Sequence, residues 1–179
     1  MEETKGDVTL VCINEKSQRF VFDSEDSFDE DEIEEFISKF SNGQLKPNYK
    51  SEIEPTNNAK KLIKTFVGSS FESILEANEA KNMVIYFYSK RYCEKCAEFE
   101  LIYTDLAKRY VKNKDIIFGK LNVDNNEFPV VFSIKSVPAL FIRRAFATEP
   151  NLFDYKDNSN LNDLISFIEG TEKTSTEEL

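Results

Sequence analysis

The stretch NMVIYFYSKRYCEKCAEFE, residues 82–100, decides the fold of this chain. It opens with Met83–Tyr88, the most apolar run of the sequence, which predicts a central β-strand covered on both faces. Cys93 and Cys96 follow, and Cys93–Val111 is predicted to be an amphipathic helix. The apolar residues at helical spacing in that segment are Phe99, Tyr103, Leu106 and Tyr110. The two cysteines are therefore expected where a buried strand leads into a helix.

The flanking sequence alternates short apolar runs with amphipathic segments. The predicted strands are Leu62–Val67, Met83–Tyr88, Ile116–Val123, Ala139–Arg143 and Leu152–Tyr155, and the predicted helices are Ser70–Ala77, Cys93–Val111, Asn126–Phe132 and Leu161–Ile168. Strand–helix alternation predicts parallel neighbours, whereas the last two strands predict an antiparallel edge. Residues 61–170 are therefore expected to form an α/β domain, an α/β/α sandwich around a mixed central sheet.

The first 45 residues carry a different pattern. Val8–Ile13 and Arg19–Phe22 read as strands, joined by a polar segment of hairpin length. Nine acidic residues lie between Asp23 and Glu35. They could form a tail or bind cations, but acids also stabilise the start of a helix. An apolar stripe behind them favours a helix over Asp29–Ser41, and its members are Ile33, Phe36, Ile37 and Phe40.

The chain is therefore expected to contain four segments. Residues 1–45 form a partial β-β-α unit, residues 46–60 a linker with two prolines, residues 61–170 the α/β domain, and residues 171–179 an acidic disordered tail. Two strands and one helix leave apolar surface uncovered. We expect the first unit to cover that surface either on the next domain or by self-association.

The composition excludes several classes of function. The 179 residues include no histidine, which removes Ser-His-Asp catalysis, Cys-His catalysis and His-ligated zinc. The five glycines never cluster, so phosphate-cradling loops are absent. A formal net charge of −10 argues against nucleic acid and anionic membranes as partners. No run is apolar enough to span a membrane, and no secretory leader is recognisable at the N-terminus.

The spacing of Cys93 and Cys96 suits redox chemistry, because two cysteines three residues apart can form a disulfide across one helical turn. A thiolate on the first cysteine meets the helix N-terminus, which lowers the pKa of such thiols below the free value of about 8.5. Cys93 is then the nucleophile and Cys96 the resolving thiol. Lys95 should favour the thiolate and Glu94 should oppose it.

Two other interpretations of the cysteine pair remain open. The cysteines could be inert and buried, or they could bind a structural zinc ion. Zinc would need two further ligands, and the chain offers only Cys12 besides the pair. We expect Cys12 to be a core residue, and we expect no metal site.

Four blocks together resemble the thioredoxin superfamily. They are the strand leading into Cys93–Cys96, the segment Lys120–Asp124, the segment Ser136–Leu140 and the order of the strands. Within that superfamily, residues 66–71 and 82–93 are similar to a catalytic domain of protein disulfide isomerases. The resemblance implies a thioredoxin fold preceded by part of a non-catalytic thioredoxin-like domain. It also implies a thiol–disulfide oxidoreductase or isomerase that acts on cysteine-containing proteins or peptides without a dissociable cofactor.

The resemblance assigns substrate contacts and charges around the cysteines. Val137 and Pro138 match the family's cis bond, which positions an extended substrate beside the cysteines, and Tyr92 would contact the substrate as well. Lys95 takes the place of a histidine that stabilises the thiolate. Lys135 falls where many relatives carry an arginine that assists the buried thiol.

One departure from the family concerns proton transfer. Lys120 matches a lysine that the family pairs with a buried acid, and that pair moves protons off the resolving thiol. The acid's position is Tyr86 or Phe87, so the acid is missing here. Lys120 is then expected either to hydrogen-bond the hydroxyl of Tyr86 or to be uncharged. The resemblance thus implies slow or specialised exchange.

Two other functions remain compatible with the sequence. One is a chaperone-like or client-trapping module with weak redox turnover, and the other is a cytosolic thioredoxin-like reductase. By resemblance the protein is expected in the lumen of the endoplasmic reticulum, with the cytoplasm as the alternative. The ending Thr176–Leu179 is similar to the close of a retention signal but lacks its lysine.

Overall fold

The computed structural model describes residues 9–16, 18–22, 29–156 and 159–171. Val8, the first part of the acidic run, and the tail from residue 172 with its retention-like ending lie outside the described residues. The chain divides into two compact units, Met1–Tyr49 and Lys50–Leu179. Among the helices that the structure describes, none is long and apolar enough to cross a membrane.

The first unit consists of a short hairpin and one helix. Strand β1 (Val11–Ile13) pairs antiparallel with β2 (Arg19–Val21). Helix α1 (Glu30–Ser41) begins at Asp29, whose carboxylate accepts a hydrogen bond from the backbone N–H of Asp31 at 2.9 Å. This contact and the acids in the first turn stabilise the positive end of the helix. The unit packs through aromatic pairs, with ring centroids 5.1 Å apart for Phe20–Phe40 and 5.3 Å apart for Phe22–Phe36.

The second unit contains a five-stranded sheet with helices on both faces. Its elements in chain order are β3 (Ile63–Phe66), α2 (Gly68–Ala77), β4 (Asn82–Tyr88), α3 (Cys96–Arg109), β5 (Ile116–Asn122), β6 (Ala139–Arg143), β7 (Asn151–Phe153) and α4 (Leu161–Glu169). The strand order is β3-β5-β4-β6-β7. The first three strands in that order run parallel, and β6 and β7 add the antiparallel edge. The predicted mixed central sheet is confirmed.

Strand β4 lies at the centre of the sheet, and both of its faces are buried, as the apolar run predicted. On one face, Tyr86 and Tyr88 pack with α3 and α4. On the other face, Ile85 and Phe87 pack with Phe71 of α2. The central strand therefore has a fixed position, and the residues that follow its carboxyl end are presented at one edge of the sheet.

The predicted helix Asn126–Phe132 is wrong. This segment has no helix and closes in a turn, where the N–H of Phe132 donates to the carbonyl of Pro129 at 3.1 Å. The reason is tertiary, because the Asn126 amide bonds other parts of the fold. Its oxygen accepts from the backbone N–H groups of Glu52 and Gly68, and its nitrogen donates to the Glu52 carboxylate. These bonds take Asn126 out of a helical path.

Candidate active site

The two cysteines lie directly beyond the carboxyl end of β4. Cys93 and Cys96 form a disulfide, with their Cα atoms 5.3 Å apart. Helix α3 begins at Cys96, so the prediction that it would begin at Cys93 is wrong by one turn. Cys93 instead lies on the turn before the helix, and its carbonyl accepts from the N–H of Cys96 at 3.3 Å. Lys95 is the N-cap residue of the helix.

The two cysteines differ in their exposure. Cys96, the first residue of α3, is 5% exposed and packs in the core, whereas Cys93 is half-buried. Tyr92, immediately before the pair, is 83% exposed. A substrate can therefore reach Cys93 more readily than Cys96, which is the arrangement that a nucleophile and a resolving thiol require.

The loop before the cysteines is fastened by Asp124, a residue for which the sequence predicted no role. Its carboxylate accepts from Ser89 Oγ at 2.6 Å and from the backbone N–H groups of Lys90 and Arg91 at 2.8 and 3.3 Å. The Ser89 hydrogen bond is the main cause that lowers the pKa of the Asp124 carboxyl; burial opposes it, and the backbone N–H groups of Lys90 and Arg91 lower the pKa further. Because Asp124 remains ionised at neutral pH, this clamp positions the approach to Cys93.

Asp124 could have been found from the sequence. Strands β4 and β5 are parallel neighbours, so the residues that follow them meet at one edge of the sheet. An acid placed two residues after β5 is therefore brought next to the loop that follows β4. The role of Asp124 would thus be predicted from the pairing of β4 with β5, and not from the presence of an aspartate alone.

The Val137–Pro138 bond is cis, and Val137 lines the same surface depression as Cys93. Two depressions in the surface meet here, because both are lined by Lys95 and Val137. The structure thus brings together most of the site residues predicted from sequence. Cys93, Tyr92 and Glu94 line the depression of about 580 Å³, while Lys135 and Pro138 line the depression of about 340 Å³.

Lys120 is the predicted site residue whose partner differs from expectation. Its ammonium is bonded to the carboxylate of Glu100 from helix α3, and it lies 5.5 Å from the ring centroid of Tyr88. The hydroxyl of Tyr86 donates instead to the backbone carbonyl of Cys96 at 2.9 Å. The expected bond between Lys120 and Tyr86 is therefore absent from the described contacts of both residues. Its place is taken by an acid from the helix.

Glu100 was not predicted, because the family resemblance places the acid in the strand before the cysteines and not in the helix after them. It lies four residues after Cys96, and residues at this spacing share one face of a helix. Burial, reinforced by the Glu100 carboxylate, raises the pKa of Tyr86 well above its ordinary value. Burial also raises the pKa of Tyr88 to about 12. Both hydroxyls stay protonated at neutral pH, so Tyr86 acts as a hydrogen-bond donor beneath Cys96.

Among the residues that the structure describes, no group of three or more His, Cys, Asp or Glu side chains could bind a metal ion. Cys12, the third cysteine, is free, half-buried and located in the first unit.

Comparison with known proteins gives a consistent family assignment. The family model described as Thioredoxin matches residues 62–170. "Protein disulfide-isomerase A4" of Mus musculus is 29% identical over 99% of this chain and 28% of its own length. "Protein disulfide-isomerase" of Drosophila melanogaster is 28% identical over 96% of this chain and 33% of its own length. The chain thus spans about a third or less of these curated relatives.

A solved structure, "Crystal structure of J-Trx1 fragment of ERdj5", also aligns with the chain. The alignment has a TM-score of 0.49 and 20% sequence identity, and it covers 62% of this chain and 51% of that chain.

Proposed function

Because the chain belongs to the thioredoxin family and is similar over nearly its whole length to protein disulfide isomerases, we propose that it is a thiol–disulfide oxidoreductase of the disulfide isomerase type, acting on protein disulfides. The observation that carries this proposal is the disulfide between half-buried Cys93, on a turn before a helix, and buried Cys96, in the first turn of that helix. The lumen of the endoplasmic reticulum is the proposed location, by analogy with the relatives.

The proposed reaction is two successive thiol–disulfide exchanges. In the reduced protein, the Cys93 thiolate attacks one sulfur of a substrate cystine and releases the other as a thiolate, which leaves a mixed disulfide. Cys96 loses its proton and attacks the Cys93 sulfur, so the substrate's second thiolate departs and the Cys93–Cys96 disulfide forms. The substrate gains two electrons and the protein loses two. In the reverse direction, the oxidised protein introduces a disulfide into its substrate.

The residues around the pair receive roles in the same proposal. Val137 and Pro138 flank the groove beside Cys93 and would align an extended substrate, with Tyr92 as a contact. Lys95 would stabilise the Cys93 thiolate and Glu94 would oppose it, while Lys135 adds positive charge nearby. These opposed charges are exposed to solvent, so they would tune the thiolate rather than determine it.

The decisive experiment measures the reduction potential of the Cys93–Cys96 pair together with turnover of a protein that carries scrambled disulfides. We expect catalytic turnover and a potential near that of disulfide isomerases, about −180 mV. A potential near −270 mV would assign the protein to the reductases instead. Lack of exchange with any disulfide would overturn the proposal.

A client-trapping module is the second candidate, favoured by the exposed Tyr92 ring beside Cys93 and by the missing strand acid. Such a protein would form mixed disulfides with its clients and release them slowly. The turnover assay separates the two functions. A trap shows one rapid stoichiometric reaction and no further cycles, whereas an enzyme continues.

We also propose that turnover is attenuated, because the strand positions Tyr86 and Phe87 provide no acid and the carboxylate paired with Lys120 comes from the helix. The Glu100 side chain is 40% exposed and that of Lys120 is 25% exposed, so the pair contacts water. Glu100 shares a helix face with Cys96 and is the candidate acceptor for its proton.

Replacing Glu100 by glutamine tests this role. We expect Glu100→Gln to slow release of the mixed disulfide, the step that needs the Cys96 thiolate, by about tenfold, and to leave the attack of Cys93 unchanged. Rapid-mixing measurements on the reduced protein resolve the two steps. Glu98→Gln is the matched control, since Glu98 lies in the same helix but is exposed and two residues from Cys96. Equal release rates in the two variants would contradict the role.

The proposal also assigns a role to the first unit. Residues 1–45 would be part of a non-catalytic thioredoxin-like module, joined by the linker 46–60 to the catalytic domain 61–170. Val11 and Ile13 of β1 are 40% and 63% exposed. These exposed apolar side chains are where self-association would occur.

A further inference from the structure

Two depressions lie next to each other at the surface beside Cys93. The depressions of about 340 and 580 Å³ share the lining residues Lys95 and Val137, and Cys93 lines the larger one. We call the two together the cysteine groove. An extended peptide advances about 3.3 Å per residue, so one that presents its cystine to Cys93 would place flanking side chains in both halves.

Positive side chains dominate the lining of the cysteine groove. The four cations are Lys90, Arg91, Lys95 and Lys135, and the two acids are Glu94 and Asp154. All six residues are exposed. Lys156 lies 3.7 Å from the Asp154 carboxylate and offsets part of its charge. Asp124 and Glu52 do not line the groove, but their carboxylates attract Arg91 and Lys90 and offset part of the charge of those two cations. The positive excess therefore lies mainly around Lys95 and Lys135.

This local charge is opposite to that of the whole protein, whose formal net charge is −10. Charges separated by more than about 8 Å are largely screened at physiological ionic strength. A substrate segment within the groove therefore responds to the local cations more than to the total charge. Clefts lined by one sign of charge also raise the local concentration of oppositely charged partners.

We propose that the cysteine groove selects substrate cystines whose flanking residues are acidic. The inference rests on the proposed exchange activity and adds its substrate class. Aspartate or glutamate next to a substrate cysteine would lie near Lys95 and Lys135 in one half of the groove, or near Lys90 and Arg91 in the other. Lysine or arginine at those positions would be repelled, which slows formation of the mixed disulfide.

Three peptide disulfides test the proposal. They share one sequence except that the residues flanking each cysteine are all aspartate, all serine or all lysine. The rate of each with the reduced protein is divided by its rate with dithiothreitol, whose attacking group is also a thiolate. We expect a corrected aspartate-to-lysine ratio of about five or more at low ionic strength. The ratio should fall below about two in 1 M salt, where the Debye length is about 3 Å.

A double variant and its matched control assign the effect to the groove. Lys95→Glu with Lys135→Glu should lower the ratio at least about fivefold. A changed Cys93 thiolate would alter all three rates equally, so the ratio reports only recognition of the flanking charges. Lys112→Glu with Lys114→Glu changes the net charge by the same amount. Both control lysines are exposed and precede β5, at the opposite end of the sheet from Cys93, so the ratio should stay unchanged.

Each result has a distinct meaning. Measurable exchange with a corrected ratio near one overturns the acidic preference and leaves the proposed function standing. Equal shifts of the ratio in the two double variants also overturn it, because total charge would then be the cause. Exchange with none of the peptides overturns the proposed function and the preference with it.

Discussion

Replacing Cys93 by serine should abolish thiol–disulfide exchange, with a loss of at least about 10³-fold in rate. The serine hydroxyl does not ionise at neutral pH and cannot leave as a stable anion, so neither the attack nor the return step can occur. The measurement is the rate at which chemically reduced protein cleaves a peptide disulfide. The fold should be unaffected, because Cys93 lies on a turn before α3 and is only half-buried.

The other two cysteines make this prediction specific. Cys96→Ser should still attack substrate but should accumulate the mixed disulfide, visible by mass spectrometry, because no resolving thiol remains. Cys12→Ser is the control and should exchange at the normal rate, since Cys12 is free and lies in the first unit. Full activity in Cys93→Ser, or its loss in Cys12→Ser, would place the reactive thiol elsewhere.

The strand before the cysteines and the helix after them were predictable, because a buried element must carry apolar residues at every position that faces the core. Strand β4 is covered on both faces, so it must be apolar throughout, and α3 shows one apolar face. The start of α3 was less predictable. Cys93 and Cys96 can form a disulfide whether the first of them is helical or precedes the helix, so their spacing does not locate the N-cap at Lys95.

The charged contacts of the site were not predictable from spacing alone. Asp124 reaches the loop after β4, and Glu100 reaches Lys120, only because strands β4 and β5 are neighbours and α3 packs across them. The false helix at 126–132 has the same origin. The helix preference of residues 126–132 is outweighed by the hydrogen bonds that Asn126 makes to Glu52 and Gly68, more than 50 residues away.

Replacing Gly119 by alanine should destabilise the second unit by about 2–3 kcal/mol, although alanine is ordinarily better tolerated in a strand than glycine. A Cβ at this position in β5 would lie within 2.6 Å of three ring carbons of Phe66. The ring cannot simply swing away, since Phe66 is 1% exposed and its centroid is 5.4 Å from that of Phe71. Urea unfolding followed by circular dichroism measures the loss.

A double-mutant cycle separates this crowding from any other effect of the alanine. Phe66→Leu removes the ring carbons that meet the new Cβ, at a cost of about 1–1.5 kcal/mol on its own. If crowding is the cause, Gly119→Ala combined with Phe66→Leu should lose about 1–2 kcal/mol less than the two single losses together. Additive losses of stability would instead show that Gly119 is required for its backbone conformation and not for the space beside Phe66. The distinction matters for the site, because Lys120 follows Gly119 directly, and a shift of β5 would displace its contact with Glu100.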